Sequence, residues 1–329
     1  MRKPVHKLLC LVLVVCLAAV MVLGCGSDSG DDKKTETDKK TETGNKTENN
    51  VTPTNNPGET TPPVEDTPTP TPDASKTDYA IKDKVIVDNE SVAFKIVSVE
   101  DDGKMGTAVN VECKNKTDKS LTFSLNNVCV NGYLAEPYWG GPVAAGETFN
   151  SKIMFGSEDL KKMGETIDEM RFVLRVYDSE NGGGEDVLKE SYTVYPTGLT
   201  ANAVKYPARI TSDSEQVVID NDKISFIILG TRNDSLWGYT LDCYIENKTD
   251  VILLYTWDDV TVNGADIDPY WAKSLSPGTR AYTSICFDTE DLEEYEITSV
   301  SEIVYTMRIY DSQDWTAEDL VDDEFTYKP

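Results

Sequence analysis

The chain reads Asn-Lys-Thr-Asp at residues 115–118 and again at residues 247–250, 132 residues further on. The same offset matches Pro-Tyr-Trp at residues 137–139 with Pro-Tyr-Trp at residues 269–271, without a gap. Beyond residue 160 the offset becomes 133. The chain therefore contains two copies of one unit of roughly 113 residues, which is the size of a small domain.

Apolar residues alternate with polar ones in short runs within each copy, which is typical of half-buried strands. Only residues 157–160 and 289–292 resemble the start of a helix. Asn131-Gly132 and similar pairs mark turns between the runs. The pattern predicts an all-β fold with two tandem immunoglobulin-like β-sandwich domains, at residues 79–198 and 208–329.

The first 24 residues have the features of a signal peptide, because basic residues precede an apolar run from Leu8 to Leu23. That run is shorter than the roughly 20 residues of a membrane-spanning helix. It ends in Val-Leu-Gly-Cys and resembles a bacterial lipobox, whose cysteine is lipidated. The resemblance implies that Cys25 carries fatty acyl chains such as palmitate, and anchors the protein to the extracellular side of the cell membrane.

Residues 25–78 follow the leader and consist mainly of Thr, Pro, Asp, Glu, Lys and Asn. Such a segment lacks the apolar residues that could form a core, so we expect a disordered linker. The linker would hold the folded part of the protein away from the membrane.

The formal net charge of −27 disfavours binding to nucleic acids or to anionic lipid headgroups, because both require clustered cations. The single histidine, His6, lies in the leader. Catalytic triads and histidine metal sites are thereby excluded from the mature protein. Only carboxylate chemistry remains for an enzyme, and the sequence predicts no cofactor.

Cys113, Cys129, Cys243 and Cys286 do not coincide between the two copies. Disulfides that defined the fold should recur in both, so we interpret the four as mainly buried free thiols. A disulfide specific to one copy stays open as an alternative outside the cytoplasm. Their spacing does not favour zinc.

The repeat resembles the immunoglobulin-like domains, often of unassigned function, that occur in extracytoplasmic lipoproteins of Gram-positive bacteria. The resemblance depends on the Asn-Lys-Thr-Asp turn, on residues 128–132 with 260–264, and on the turns at Gly146 and Gly278. It implies a fold and a location, and it assigns no activity or site.

Two aromatic pairs, Tyr138-Trp139 and Tyr270-Trp271, are the most distinctive candidates for a functional site. Exposed aromatic residues can stack on sugars or bind proteins. Alternatively, these side chains pack over an open end of the sandwich. The sequence leaves both interpretations open and favours packing.

Carboxylates are frequent in the loops at residues 178–186 and 311–323, where six to eight oxygens could hold calcium. Neither loop has EF-hand spacing, so Asp178, Glu180, Glu185 and Asp186 are interpreted as solvated charges, and no metal site is predicted. Two arginines in the middle of strands, Arg175 and Arg308, should pair with carboxylates on neighbouring strands.

These observations predict a lipid-anchored surface lipoprotein that acts as a non-catalytic binding or spacing module. Its partner would be an unknown protein or glycan. The alternatives are a carboxylate-dependent glycan hydrolase and an accessory subunit that presents substrates to a transporter. A pair of carboxylates about 5 to 9 Å apart in a cleft would favour the hydrolase.

Overall fold

The structure is a computed structural model that describes residues 77–178, 184–314 and 316–329. The predicted leader, the predicted lipidation site Cys25, most of the predicted linker and Glu180 lie outside the described residues. No helix in the described part of the chain is long and apolar enough to cross a membrane.

Strands dominate both copies of the repeat, and each copy has one short α-helix after its seventh strand. The prediction of an all-β fold is confirmed. In the first copy the elements are β1 (Lys82–Asp88), β2 (Val92–Asp101), β3 (Thr107–Asn115), β4 (Leu121–Val130), β5 (Tyr133–Leu134), β6 (Gly140–Val143), β7 (Thr148–Phe155), α1 (Ser157–Met163), β8 (Met170–Asp178) and β9 (Asp186–Val194), with a 3-10 turn at Gly103–Met105. In the second copy they are β10 (Gln216–Asp220), β11 (Ile224–Asp234), β12 (Gly238–Asn247), β13 (Leu253–Val262), β14 (Ala265–Asp266), β15 (Ala272–Leu275), β16 (Arg280–Phe287), α2 (Thr289–Glu294), β17 (Ile303–Asp311) and β18 (Val321–Tyr327).

Each copy divides its strands between two sheets. In the first copy one sheet has the order β1-β2-β3-β7, and the other joins β4 to β5, β6 and β8, with β9 at the edge beyond β8. The second copy repeats this arrangement with β10-β11-β12-β16 and with β13, β14, β15, β17 and β18. Buried side chains from both sheets, such as Phe94 on β2 and Leu174 on β8, form one core in the first copy. The second copy has its own core, which includes Phe226 and Met307.

The Asn-Lys-Thr-Asp stretch is a structural turn in both copies. Asn115 is fully buried, and its Nδ2 donates to the carbonyl oxygens of Lys119 at 2.7 Å and Val143 at 2.9 Å. Its Oδ1 accepts the Thr117 backbone N–H at 2.9 Å. Asn247 is equally buried and makes the corresponding bonds in the second copy. Buried polar groups need such partners, so the motif has the same structural role in both copies.

The two copies are joined by a continuous sheet. Strand β16 of the second copy pairs with β5 of the first, at Arg280 and Tyr133, and this is the one parallel pairing among the described strands. The Tyr133 ring stacks on Tyr282, with ring centroids 5.4 Å apart and planes 5° apart. Arg280 lies 3.2 Å from a Glu246 carboxylate oxygen and also donates to the Pro207 carbonyl at 3.2 Å. Aromatic stacking and charge-assisted hydrogen bonds therefore stabilise the junction.

The segment between β9 and β10 packs along this junction. Tyr206 donates its hydroxyl to Glu169 of the first copy at 2.7 Å. The Ile210 backbone N–H donates to the Tyr282 hydroxyl of the second copy at 2.8 Å. This connection contacts both copies, so it restricts their relative motion instead of acting as a free linker.

Candidate functional site

The Pro-Tyr-Trp motif presents its tryptophan to the interior in both copies. Trp139 packs with its ring centroid 5.9 Å from that of Phe94, and its Nε1 donates to the Ser151 hydroxyl at 3.1 Å. Trp271 is only 8% exposed, and its Nε1 donates to the Thr283 hydroxyl at the same distance of 3.1 Å. The packing interpretation therefore describes the two tryptophans.

The tyrosines of the same motif lie on the outside. Tyr138 is 99% exposed and Tyr270 is 80% exposed. Tyr270 has a φ of 48°, which is uncommon for a residue other than glycine, and the Asp268 carboxylate accepts its backbone N–H at 2.7 Å. Unusual backbone geometry of this kind often occurs at binding sites, where the surrounding structure maintains it.

A cleft of about 400 Å³ lies where the two copies meet. The first copy contributes the end of β4, strand β5 and the segment that leads to Tyr138, and the second copy contributes β15. The lining residues are Leu125, Asn127, Val128, Leu134, Ala135, Glu136, Pro137, Tyr138, Ala272, Lys273 and Ser274. Neither copy alone could form this cleft, because both walls are required.

An ion pair connects the two walls of the cleft. Lys273 of the second copy donates to Glu136 of the first, with Nζ and Oε2 2.8 Å apart. Asn127 lies at a bulge of β4, with a φ of 50°, and its side chain is exposed. A bulge of this kind re-aims side chains at the edge of a sheet. The cleft therefore offers both apolar and polar surface to a ligand.

No family model and no curated protein matches the chain.

A second polar cluster lies on β13 and its surroundings in the second copy. Burial raises the pKa of the Asp258 carboxyl, and the neighbouring carboxylates of Asp259, Asp268 and Asp322 raise it further. Arg308 opposes this effect, with its Nη1 3.7 Å from an Asp258 oxygen. Within the described residues, no group of His, Cys, Asp and Glu is arranged to hold a metal ion.

Both strand arginines pair with carboxylates, as the sequence predicts, although the nearest partner of Arg308 lies in the loop before β18 and not on a neighbouring strand. Arg175 Nε lies 2.6 Å from Asp186 Oδ1, and Arg308 Nη2 lies 2.7 Å from Asp319 Oδ2. Asp178, which is only 8% exposed, pairs with Lys119 at 3.2 Å. Asp178 ends β8 and Asp186 begins β9, and each has a cation partner within the protein. The interpretation of Asp178 as a solvated loop charge is therefore wrong, because this side chain is buried.

The four cysteines in the described part of the chain are free thiols, in agreement with the preferred interpretation. Cys113, Cys129 and Cys243 are buried, and Cys286 is partly exposed. Burial raises the pKa of Cys113 to about 12 and also raises that of Cys243. Thiols in this state are poor nucleophiles, because the thiolate is the reactive form.

One exposed apolar feature is missing from the sequence predictions. Leu236 and Trp237, at the turn between β11 and β12, are 72% and 57% exposed. The Asp234 carboxylate accepts their backbone N–H groups at 2.8 and 3.1 Å, which fixes the turn. The sequence could have indicated this turn, because Asp234 lies two residues before Leu236-Trp237, between two runs of alternating apolar residues.

Proposed function

We propose that this protein is a non-catalytic binding module. In this proposal Cys25 is lipidated and anchors the chain to the extracellular side of the cell membrane. The linker extends the folded part outwards, and two immunoglobulin-like domains present a recognition surface that includes Tyr138 and Tyr270.

The exposure of the two tyrosines is the observation on which the proposal rests. Tyr138 is 99% exposed and Tyr270 is 80% exposed, while the tryptophan next to each is fixed by a hydrogen bond. A tyrosine ring offers a large contact area at a low cost in conformational entropy. Exposed aromatic residues on a rigid support are therefore typical of binding sites.

The strand pairing supports the immunoglobulin-like part of the proposal. In the immunoglobulin fold the B and E strands are neighbours in one sheet, and the C and F strands are neighbours in the other. The β3–β7 and β4–β8 pairings of the first copy correspond to these two contacts. The β12–β16 and β13–β17 pairings repeat them in the second copy.

The junction between the copies supports the presentation of one recognition surface with a fixed orientation of the two domains. The Tyr133–Tyr282 stack and the connection at residues 195–215 hold the copies together. A module with a fixed orientation loses little entropy when it binds.

Membrane anchoring is tested by fractionating cells that produce Cys25→Ala. Lipidation is the only anchor in this proposal, so we expect the variant in the soluble fraction and the unaltered chain in the membrane fraction. Equal membrane retention of the two would refute the anchoring.

Recognition is tested by binding the full chain to cell envelopes isolated from the organism that makes it. We expect the double variant Tyr138→Ala, Tyr270→Ala to bind at least tenfold more weakly, on the order of a hot-spot loss. Tyr295→Ala is the matched control, because Tyr295 is also exposed, at 48%, and lies outside the motif. Unchanged binding by the double variant would contradict the proposed recognition surface.

A further inference from the structure

We propose that the cleft between the two copies binds a neutral glycan, and that the Tyr138 ring stacks on one of its sugar rings. This inference rests on the proposed function and names the class of ligand. The lining of the cleft, its charge and its shape all favour such a ligand.

The lining combines the two kinds of surface that a sugar requires. A sugar ring has apolar faces of C–H groups and a rim of hydroxyl groups, so it binds to an aromatic face surrounded by hydrogen-bonding groups. Tyr138 provides an aromatic ring that no other part of the described protein covers. The Asn127 amide and the Ser274 hydroxyl line the same cleft, and both side chains are exposed. These groups can donate to and accept from sugar hydroxyls.

The charge of the cleft favours a neutral ligand. Glu136 and Lys273 are the only charged residues among those that line it, and they form an ion pair at 2.8 Å. The cation is therefore already neutralised. An anionic polymer would find no free positive charge there, and it would be repelled by a chain with a net charge of −27.

The shape of the cleft favours an oligosaccharide strand. Its volume of about 400 Å³ is within the usual range for ligand sites, and it is open to solvent. A strand can enter such a cleft from the side and extend beyond it. Tyr270, three residues before Lys273 in the chain, is a second exposed ring on the second copy, outside the residues that line the cleft.

The experiment is calorimetric titration of the full chain, in a detergent whose headgroup is not a sugar. The probes are neutral hexasaccharides of glucose, mannose and N-acetylglucosamine, with a hexagalacturonate as the anionic comparison and a proline-rich peptide as the protein-like comparison. We expect at least one neutral hexasaccharide to bind. Tyr138→Ala should weaken that binding by about tenfold, the scale of a lost aromatic contact.

Two variants separate stacking from other effects. Tyr138→Phe keeps the ring, so it should bind within about twofold of the unaltered chain if stacking dominates. Tyr295→Ala should bind normally. Tyr138 is 99% exposed, so Tyr138→Ala should melt at the same temperature as the unaltered chain, which excludes loss of folding as the cause.

Three results would overturn the inference: no neutral hexasaccharide binds, Tyr138→Ala binds it unchanged, or the hexagalacturonate or the peptide binds more tightly at this cleft. The envelope assay distinguishes this failure from failure of the proposed function. If the hexasaccharides do not bind but the double tyrosine variant still loses envelope binding, only the glycan assignment is wrong. If neither assay responds to the tyrosines, both proposals are wrong.

Discussion

The Trp271→Ala substitution tests the division of the Pro-Tyr-Trp motif into a buried and an exposed residue. Trp271 is 8% exposed and its ring lies 6.0 Å from Phe226 and 6.2 Å from Trp257, centroid to centroid. Removal of the indole would leave a cavity in the core of the second copy. It would also leave the Thr283 hydroxyl without the 3.1 Å hydrogen bond that the indole N–H donates.

The expected loss of stability follows from the buried area. A buried tryptophan removes about 150–250 Å² from water, which at about 25 cal/mol per Å² corresponds to about 4–6 kcal/mol. The alanine retains part of this, and measured substitutions of large buried aromatic residues cost about 3–5 kcal/mol. We expect a loss of about 4 kcal/mol, or a decrease in Tm of about 8–16 °C for a protein of this size.

The measurement is thermal unfolding of the full chain followed by circular dichroism. Tyr270→Ala is the matched control, because the Tyr270 side chain, next to Trp271 in the chain, is 80% exposed. This substitution should change the free energy of unfolding by no more than about 0.5 kcal/mol. The reasoning would be refuted by equal melting temperatures of Trp271→Ala and the unaltered chain. A larger decrease for Tyr270→Ala than for Trp271→Ala would refute it as well.

Three further predictions concern other parts of the fold. Alkylation of the native chain with peptide mapping should label the partly exposed Cys286 before Cys243, whose pKa burial raises, and early labelling of Cys243 would contradict its burial. The pKa of Asp258 is raised in the folded state, so ionisation of this carboxyl weakens folding as the pH rises. Asp258→Asn should therefore raise Tm at pH 7, and this gain should diminish as the pH falls. A Tm gain in melts that persists at pH 3 would refute this. Asn247→Ala should cost about 3 kcal/mol in urea unfolding, because the carbonyl oxygens that Asn247 binds lose their partner, and an unchanged midpoint would show that the turn does not need it.

Local sequence patterns predicted much of the fold. The alternation at residues 92–96 predicted strand β2, and the Asn131-Gly132 pair predicted the turn between β4 and β5, where both residues have positive φ angles. Both features depend on neighbouring residues only. The candidate site was predicted in part: the four aromatic residues were identified, but adjacent Tyr138 and Trp139 are both large aromatics, and composition does not distinguish the buried one from the exposed one.

The cleft could not be predicted, because its two walls are distant in sequence. Lys273 is 137 residues from Glu136, with which it pairs. A carboxylate and an amine at such a separation carry no local signal that they will meet. Asn127 and Asp259, which occupies the same place in the second copy, both have a φ of 50°. Asn and Asp are residue types that tolerate this conformation, so the sequence provided only a weak indication of the bulge at Asn127.

The sequence by itself determined the repeat, the strands and the turns, because each follows from the spacing of apolar and turn-forming residues along a few positions of the chain. It also restricted the chemistry, since the only histidine lies in the predicted leader. Only the tertiary structure decided that β16 pairs with β5, that Tyr133 stacks on Tyr282, and that a cleft opens between the copies. These features depend on how one folded unit packs against another, and the free energy of that contact comes from side chains far apart in sequence.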